Sequence, residues 1–164
     1  MTKTMQLYRL DFDGTILRRG FWLYILEIIV PDGRTLHYVG KTGDKASGVS
    51  QSPFNRISNH LGHNPHSNAV RRHLGNVDPE RCCFRFHACG PLFDGESPQS
   101  HADLCDVVSA LESALRNAMV EAGYEVINVV PCRKPIDREQ FATVRAAFAK
   151  HFDKLAGAAG EGQS

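Results

Sequence analysis

Apolar and polar positions switch along this chain between a period of two and a period of three to four, and those switches predict its elements. Gln6 to Phe12 alternates imperfectly, with Leu7, Arg9 and Asp11 against Gln6, Tyr8, Leu10 and Phe12. It reads as an edge strand, with Asp13-Gly14 as a hairpin turn after it. Phe21 to Val30 is rich in β-branched and aromatic residues and predicts a buried strand. Pro31-Asp32-Gly33 reads as a turn, and Thr35 to Val39 returns as the partner strand. Lys41 to Gln51 is a polar loop. Ser52-Pro53 then opens a helix, with Ser as N-cap and Pro at the first helical position, running to Leu61 and ended by Gly62.

His66 to Leu74 reads as a short helix, with Ser67 or Asn68 near its start. Arg81 to Ala88 alternates as a strand, placing Cys83, Arg85 and His87 on one face and Cys82, Phe84 and Phe86 on the other. Pro91 to Gln99 is loop. From His101 to Ala122, residues Leu104, Val107, Val108, Leu111, Leu115 and Met119 recur at helical spacing, and Gly123 ends the run. Glu125 to Val130 is a short strand closed by Pro131. Arg138 to Leu155 is a final amphipathic helix, and Ala156 to Ser164 reads as a disordered tail. Together these elements imply an α+β fold, a small antiparallel or mixed sheet flanked by helices.

Composition adds less. Hydrophobic residues make up 42 %, enough for an ordinary core, and 164 residues suit one compact domain. The longest apolar run, Phe21 to Val30, is about half of a ~20-residue membrane span and is interrupted by Glu27. No signal-type segment follows the first residues, so the expected location is the cytoplasm, with no membrane partner. Five cysteines, an odd number, argue against a disulfide framework. Cys83, His87 and Cys89, with His101 and Cys105 downstream, invite a zinc reading. They lack the paired C-x2-C knuckle, and free cysteine packs as a small hydrophobe.

Charge matters through its distribution. Residues 33–90 hold eight Lys/Arg against three Asp/Glu, whereas residues 91–128 hold one Arg against seven acids. The first stretch suits phosphate neutralisation and the second can supply a metal ligand. By charge alone, solvated faces explain both.

Five motifs then occur in order. They are Trp22-Leu23-Tyr24-Ile25, Tyr38-Val39-Gly40-Lys41-Thr42, the helix residues Arg56 and His60, Leu111-Glu112 in the long helix, and Asn128 in Val126-Ile127-Asn128. This series resembles the GIY-YIG nuclease family, over most of the chain. Trp22 departs from it, standing where the family usually has Gly. The resemblance implies a hairpin presenting two tyrosines to the active site. It divides the chain into an N-terminal strand extension (1–20), a catalytic domain (21–130), a C-terminal amphipathic helix (131–155) and a tail (156–164).

The implied activity is metal-dependent endonucleolytic hydrolysis of phosphodiester bonds, with nucleic acid, in the first instance DNA, as partner. Glu112 would hold one Mg²⁺ or Mn²⁺, a hard ion that needs few protein ligands. Arg56 would fork onto the scissile phosphate. A tyrosine would serve as general base once nearby cations favour its ionised form. Tyr24 is preferred over Tyr38, with the choice left open. His60, one helical turn from Arg56, would relay the proton or bind phosphate, and Asn128 would orient a hydrogen bond near the metal. Lys41, His66, Arg71 and Arg72 would contact the nucleic-acid backbone.

Two other readings compete. Asp11-Phe12-Asp13-Gly14-Thr15 matches the opening motif of haloacid-dehalogenase-like phosphatases, with Asp11 as nucleophile and Asp13 as acid/base. No repeated β-α pattern or later acidic pair supports it. The other rival is a non-catalytic nucleic-acid-binding module on the same fold, which would keep the basic surface and lose Glu112 or Arg56.

Overall fold

The computed structural model describes residues 4–44, 48, 50–93 and 99–157. The expected tail therefore falls outside the described residues from 158 onward, as do parts of the two loops, at 45–47, 49 and 94–98. The fold is α+β. Strands β1 (Leu23–Ile29), β2 (Thr35–Lys41) and β3 (Cys83–Cys89) form an antiparallel sheet in the order β2-β1-β3. Among the described residues β1 is the strand with a neighbour on each side, and the Thr35 strand lies at one edge. The Pro31-Asp32-Gly33 turn sets a register pairing Tyr24 with Gly40 and Leu26 with Tyr38.

Among the described residues the α-helices are α1 (Pro53–Leu61), α2 (Ala69–Leu74), α3 (His101–Glu121), α4 (Arg138–Ala149) and α5 (Lys154–Gly157). Ser52 caps α1 as its sequence predicts, accepting the Asn55 N–H at 3.2 Å. Because β1 alternates, it builds two cores. Leu23 and Ile25 face Val108, Leu111 and Leu115 of α3 and Val144 and Phe148 of α4. Tyr24, Leu26 and Ile28 face Val70 and Leu74 of α2, with Ile57 and Leu61 of α1 beside them. Trp22 is buried. Its backbone pairs with Thr42, which extends the hairpin by one rung, and its ring lies where a Cβ on Gly90 would come within 2.8 Å.

Several elements differ from the sequence pattern. Residues 6–12 are not a strand, so the N-terminal extension is irregular. Among the described residues this segment has no backbone hydrogen bond, and a strand requires a partner. Asp13-Gly14 is not a hairpin turn. The Asp13 carboxylate caps a 3-10 turn, Gly14–Leu17, by accepting from the Thr15 N–H at 2.8 Å and the Thr15 O–H at 2.7 Å. The short helix starts at Ala69 rather than His66, because Asn64 folds residues 64–67 into a turn and accepts the His66 N–H. The last helix breaks after Ala149, which turns both Phe152 and Leu155 into the core. Ala156 and Gly157 belong to α5 rather than to a tail.

The expected Glu125–Val130 strand is reduced to a single parallel bridge between His37 and Val126. His37 N–H donates to Glu125 O at 2.8 Å, and Ile127 N–H donates to His37 O at 2.9 Å. One step further, the Asn128 side chain takes over from the backbone. Its Oδ1 accepts the Val39 N–H at 3.1 Å, and its Nδ2 donates to Val39 O at 2.7 Å. From α3, Ser113 and Arg116 donate to Val130 O and Asn128 O, pinning the segment between β2 and α3. Asn128→Ala leaves both Val39 backbone groups without partners in a buried place. Its expected cost is ~2–3 kcal/mol, read as a lower urea midpoint at unchanged m-value.

Candidate active site

The site grows from the Tyr24–Gly40 cross-strand pair. A Cβ on Gly40 would fall 2.3 Å from the Tyr24 hydroxyl, so only glycine leaves room for the ring to lie across β2. Thus placed, the Tyr24 hydroxyl shares a 2.6 Å hydrogen bond with His60 Nε2 on α1. Tyr24 and His60 are each 1 % exposed, so neither group has water to fall back on. His60 lies against both tyrosines, its ring centroid 5.9 Å from that of Tyr24 and 5.0 Å from that of Tyr38. His60 Nδ1 is buried with no hydrogen-bond partner.

Burial pushes the Tyr24 phenol up from its ordinary value, while the Arg56 guanidinium pulls the other way. Tyr38 is also pushed up by burial, less completely enclosed. Burial lowers His60 to about 4, helped by the positive charge of Arg56. At neutral pH the Tyr24–His60 pair is therefore uncharged at rest.

Glu112 follows the buried Leu111 on α3, and burial raises its carboxyl from 4.5 to about 7. Lys41 and Arg56 oppose that rise, and the Glu112 charge is felt in turn by Tyr24 and Tyr38. Lys41 and Arg56 line one small cleft of about 40 Å³ with Gly43, Asp44 and Gln51. Tyr24, Tyr38, Lys41, Arg56, His60 and Glu112 thus form one electrostatic neighbourhood, drawn from β1, β2, α1 and α3.

The other candidate residues lie differently. Asn128 has both ends of its amide on the Val39 backbone, so it positions β2 next to Tyr38 rather than pointing a free group at the cleft. Arg71 Nε donates to Leu61 O at 2.7 Å and ties α2 to the end of α1. His66 and Arg72 are exposed, and Arg72 is close enough to act on the Tyr38 phenol. Two residues of this neighbourhood escape a reading by motif role. Gly40 is in the motif, but its steric task depends on its register opposite Tyr24. His73 has its ring 5.8 Å from Tyr38, which no spacing in the sequence announces.

Asp11 and Asp13, the phosphatase-like pair, are on the exposed N-terminal segment. Asp11 is paired with Arg9, and Asp13 is committed to its cap. His87 bonds the Glu27 carboxylate at 2.7 Å, and Cys105 is buried in the α3 core. Among the described residues, no group of three His, Cys, Asp or Glu side chains is arranged to hold a metal. Glu112 alone fits a hard cation whose remaining ligands are water and substrate phosphate, and does not fit zinc. No protein-family model, no curated protein and no solved structure matches this chain.

The raised Glu112 carboxyl has a signed consequence for stability. Below pH 4.5 it is protonated in both folded and unfolded chains and makes no difference. Between 4.5 and about 7 the unfolded chain ionises first, so the native state loses stability as pH rises, and the loss is complete above pH 7. The depressed His60 works the other way, adding stability as pH rises from about 4 to 6.5, equally in wild type and a Glu112 variant. Glu112→Gln is therefore expected to match wild type at pH 4 and exceed it by on the order of 2 kcal/mol at pH 8, by urea unfolding without divalent metal.

Proposed function

We propose that this protein is a GIY-YIG-type endonuclease that hydrolyses phosphodiester bonds of DNA with one divalent metal ion. The observation that carries this reading is the buried Tyr24–His60 hydrogen bond, which adjoins Arg56 and the strongly desolvated Glu112 carboxylate. Apart from catalysis, such a cluster is a burden. It buries an imidazole nitrogen without a partner and a carboxylate with a raised pKa, both of which cost stability.

In this reading Glu112 holds Mg²⁺ or Mn²⁺. When bound, the ion supplies Lewis-acid charge to the phosphate and its leaving oxygen. Arg56 places a planar donor pair on the scissile phosphate and stabilises the charge that develops there. The Tyr24 oxygen accepts a proton from the attacking water while its own proton passes to His60 Nε2. That relay avoids a free phenolate, which the burial of Tyr24 disfavours. Lys41 adds positive charge at the cleft, and exposed His66 and Arg72 extend it along the backbone of the nucleic acid. Arg71 has a first commitment to Leu61 and acts more as a strut.

The test is nicking of supercoiled plasmid with Mg²⁺, Mn²⁺ or chelator, paired with gel shifts in Ca²⁺. Wild type should nick only with metal. Glu112→Gln should lose roughly 10²-fold or more of that rate while binding DNA nearly as before. Arg56→Ala should weaken both cutting and binding. Glu112→Gln nicking at the wild-type rate would remove Glu112 from the metal site. Wild type that binds DNA but never cuts it would make the protein a binding module.

A further inference from the structure

The residues just before β1 are fastened to the end of the hairpin that forms the Lys41–Arg56 cleft. Thr42 Oγ1 donates to Gly20 O at 2.5 Å, and Thr42, wholly buried, directly follows Lys41. Arg19 is tethered on the same side. Its Nε donates to Ser50 O at 3.2 Å, and the next residue, Gln51, lines the cleft with Lys41 and Arg56. The 3-10 turn Gly14–Leu17 packs on α1, the helix that carries Arg56.

That tether engages one nitrogen of a planar group that has three. The terminal nitrogens of Arg19 make no hydrogen bond or ion pair among the described residues, and the residue is exposed. An exposed arginine ordinarily keeps its water and means nothing. This one is held beside a cleft that already contains two cations and one acid, Asp44. Like charges held together repel, and an anion shared among them removes the repulsion.

Arg72 is the counterpart on the other side. Its helix lies at the Tyr38 end of β2, where the His73 ring is 5.8 Å from that of Tyr38 and the Arg72 charge acts on the Tyr38 phenol. Arg72 is exposed and makes no hydrogen bond or ion pair among the described residues. Tyr38 precedes Lys41 by three residues of strand, about 10 Å, whereas Thr42 and Gly20 lie past Lys41 in the opposite direction. Along the axis of β2 the uncommitted cations therefore come in the order Arg72, then Lys41 with Arg56, then Arg19.

We propose that Arg19 is a phosphate contact flanking the cleft, so that a nucleic-acid strand crosses the Lys41–Arg56 site along the direction of β2 with Arg72 before it and Arg19 after it. The inference rests on the nuclease reading for the strand it assigns, and it makes the residues before β1 part of the substrate surface. A contact away from the reacting bond holds ground state and transition state alike. It acts on KM and leaves kcat alone.

The test pairs gel shifts of a duplex oligonucleotide in Ca²⁺ over a range of NaCl concentrations with steady-state nicking in Mg²⁺. Arg19→Gln and Arg72→Gln should each reduce the slope of log affinity against log salt by about 0.9, and the double variant by about 1.8. Each should raise KM at unchanged kcat. Arg19→Lys should keep the wild-type slope, because a backbone phosphate needs only charge and reach. Arg138→Gln, exposed at the start of α4, should change nothing. A wild-type slope in Arg19→Gln overturns the proposal. So does a fall in kcat at unchanged slope, which would make Arg19 a prop for the loop at Ser50. Slopes that fall as expected in a protein that never cuts would end the nuclease reading and keep the contact. Metal-dependent cutting with a wild-type slope in Arg19→Gln would do the reverse.

Discussion

A hydroxyl and an imidazole buried in an apolar face must find each other or lose several kcal/mol of hydration. The Tyr24–His60 hydrogen bond is that meeting, and much of the arrangement follows from it. It ties the central strand to α1 and thereby fixes which helix face looks at the sheet. It needs Gly40 opposite Tyr24, because any side chain there would occupy the phenol's place. It brings Arg56, one turn earlier on α1, against the same hydroxyl. The bond therefore sets hairpin register, helix docking and local charge together.

The second constraint is the carboxylate of Glu112. Its neighbours Leu111 and Leu115 are wholly buried in the α3 core, which carries the residue between them toward the same desolvated region. Lys41 and Arg56 relieve part of the cost and leave the carboxyl with a pKa of about 7. A divalent cation would relieve the rest, since an ionised carboxylate short of hydration is a good partner for a hard ion. The same desolvation that destabilises the folded chain at alkaline pH would strengthen any ion it holds.

The hairpin, α1 and α3 are legible in the sequence because local signals agree there. A β-branched run is followed by Pro-Asp-Gly, Ser-Pro opens a helix, and apolar residues repeat for five turns before Gly123. The convergence of Tyr24, Arg56, His60 and Glu112 is legible only through the resemblance of the motifs, since spacing alone says nothing of which helix faces which strand. Where the reading fails, tertiary context decides. Gln6 to Phe12 has strand composition and no strand beside it. Glu125 to Val130 loses its ladder to a side chain, because the Asn128 amide makes both bonds that backbone groups would have made. Arg138 to Leu155 keeps a helical period across a break, because Phe152 and Leu155 reach the core better from a turn than from a straight helix.

The groove of about 780 Å³ beside β3 and the candidate chemistry are in different places, and physical chemistry gives a reason. A polymer of phosphates gains little from an apolar groove, since its charges would be stripped of water with too few partners. In the proposed reading, the cleft edged by Lys41 and Arg56 meets such a polymer at the surface and leaves most of its phosphates hydrated. The groove beside β3 offers a more apolar environment, with Phe54, Ile57, Phe84 and Phe148 in its lining. The end of the β1–β2 hairpin near Tyr24 and Gly40 carries polar and charged groups toward one cleft, and β3 pairs only with β1 among the described residues. Asn128 closes the β2 edge beside Tyr38, because without its amide both Val39 backbone groups would be left to pair with another strand.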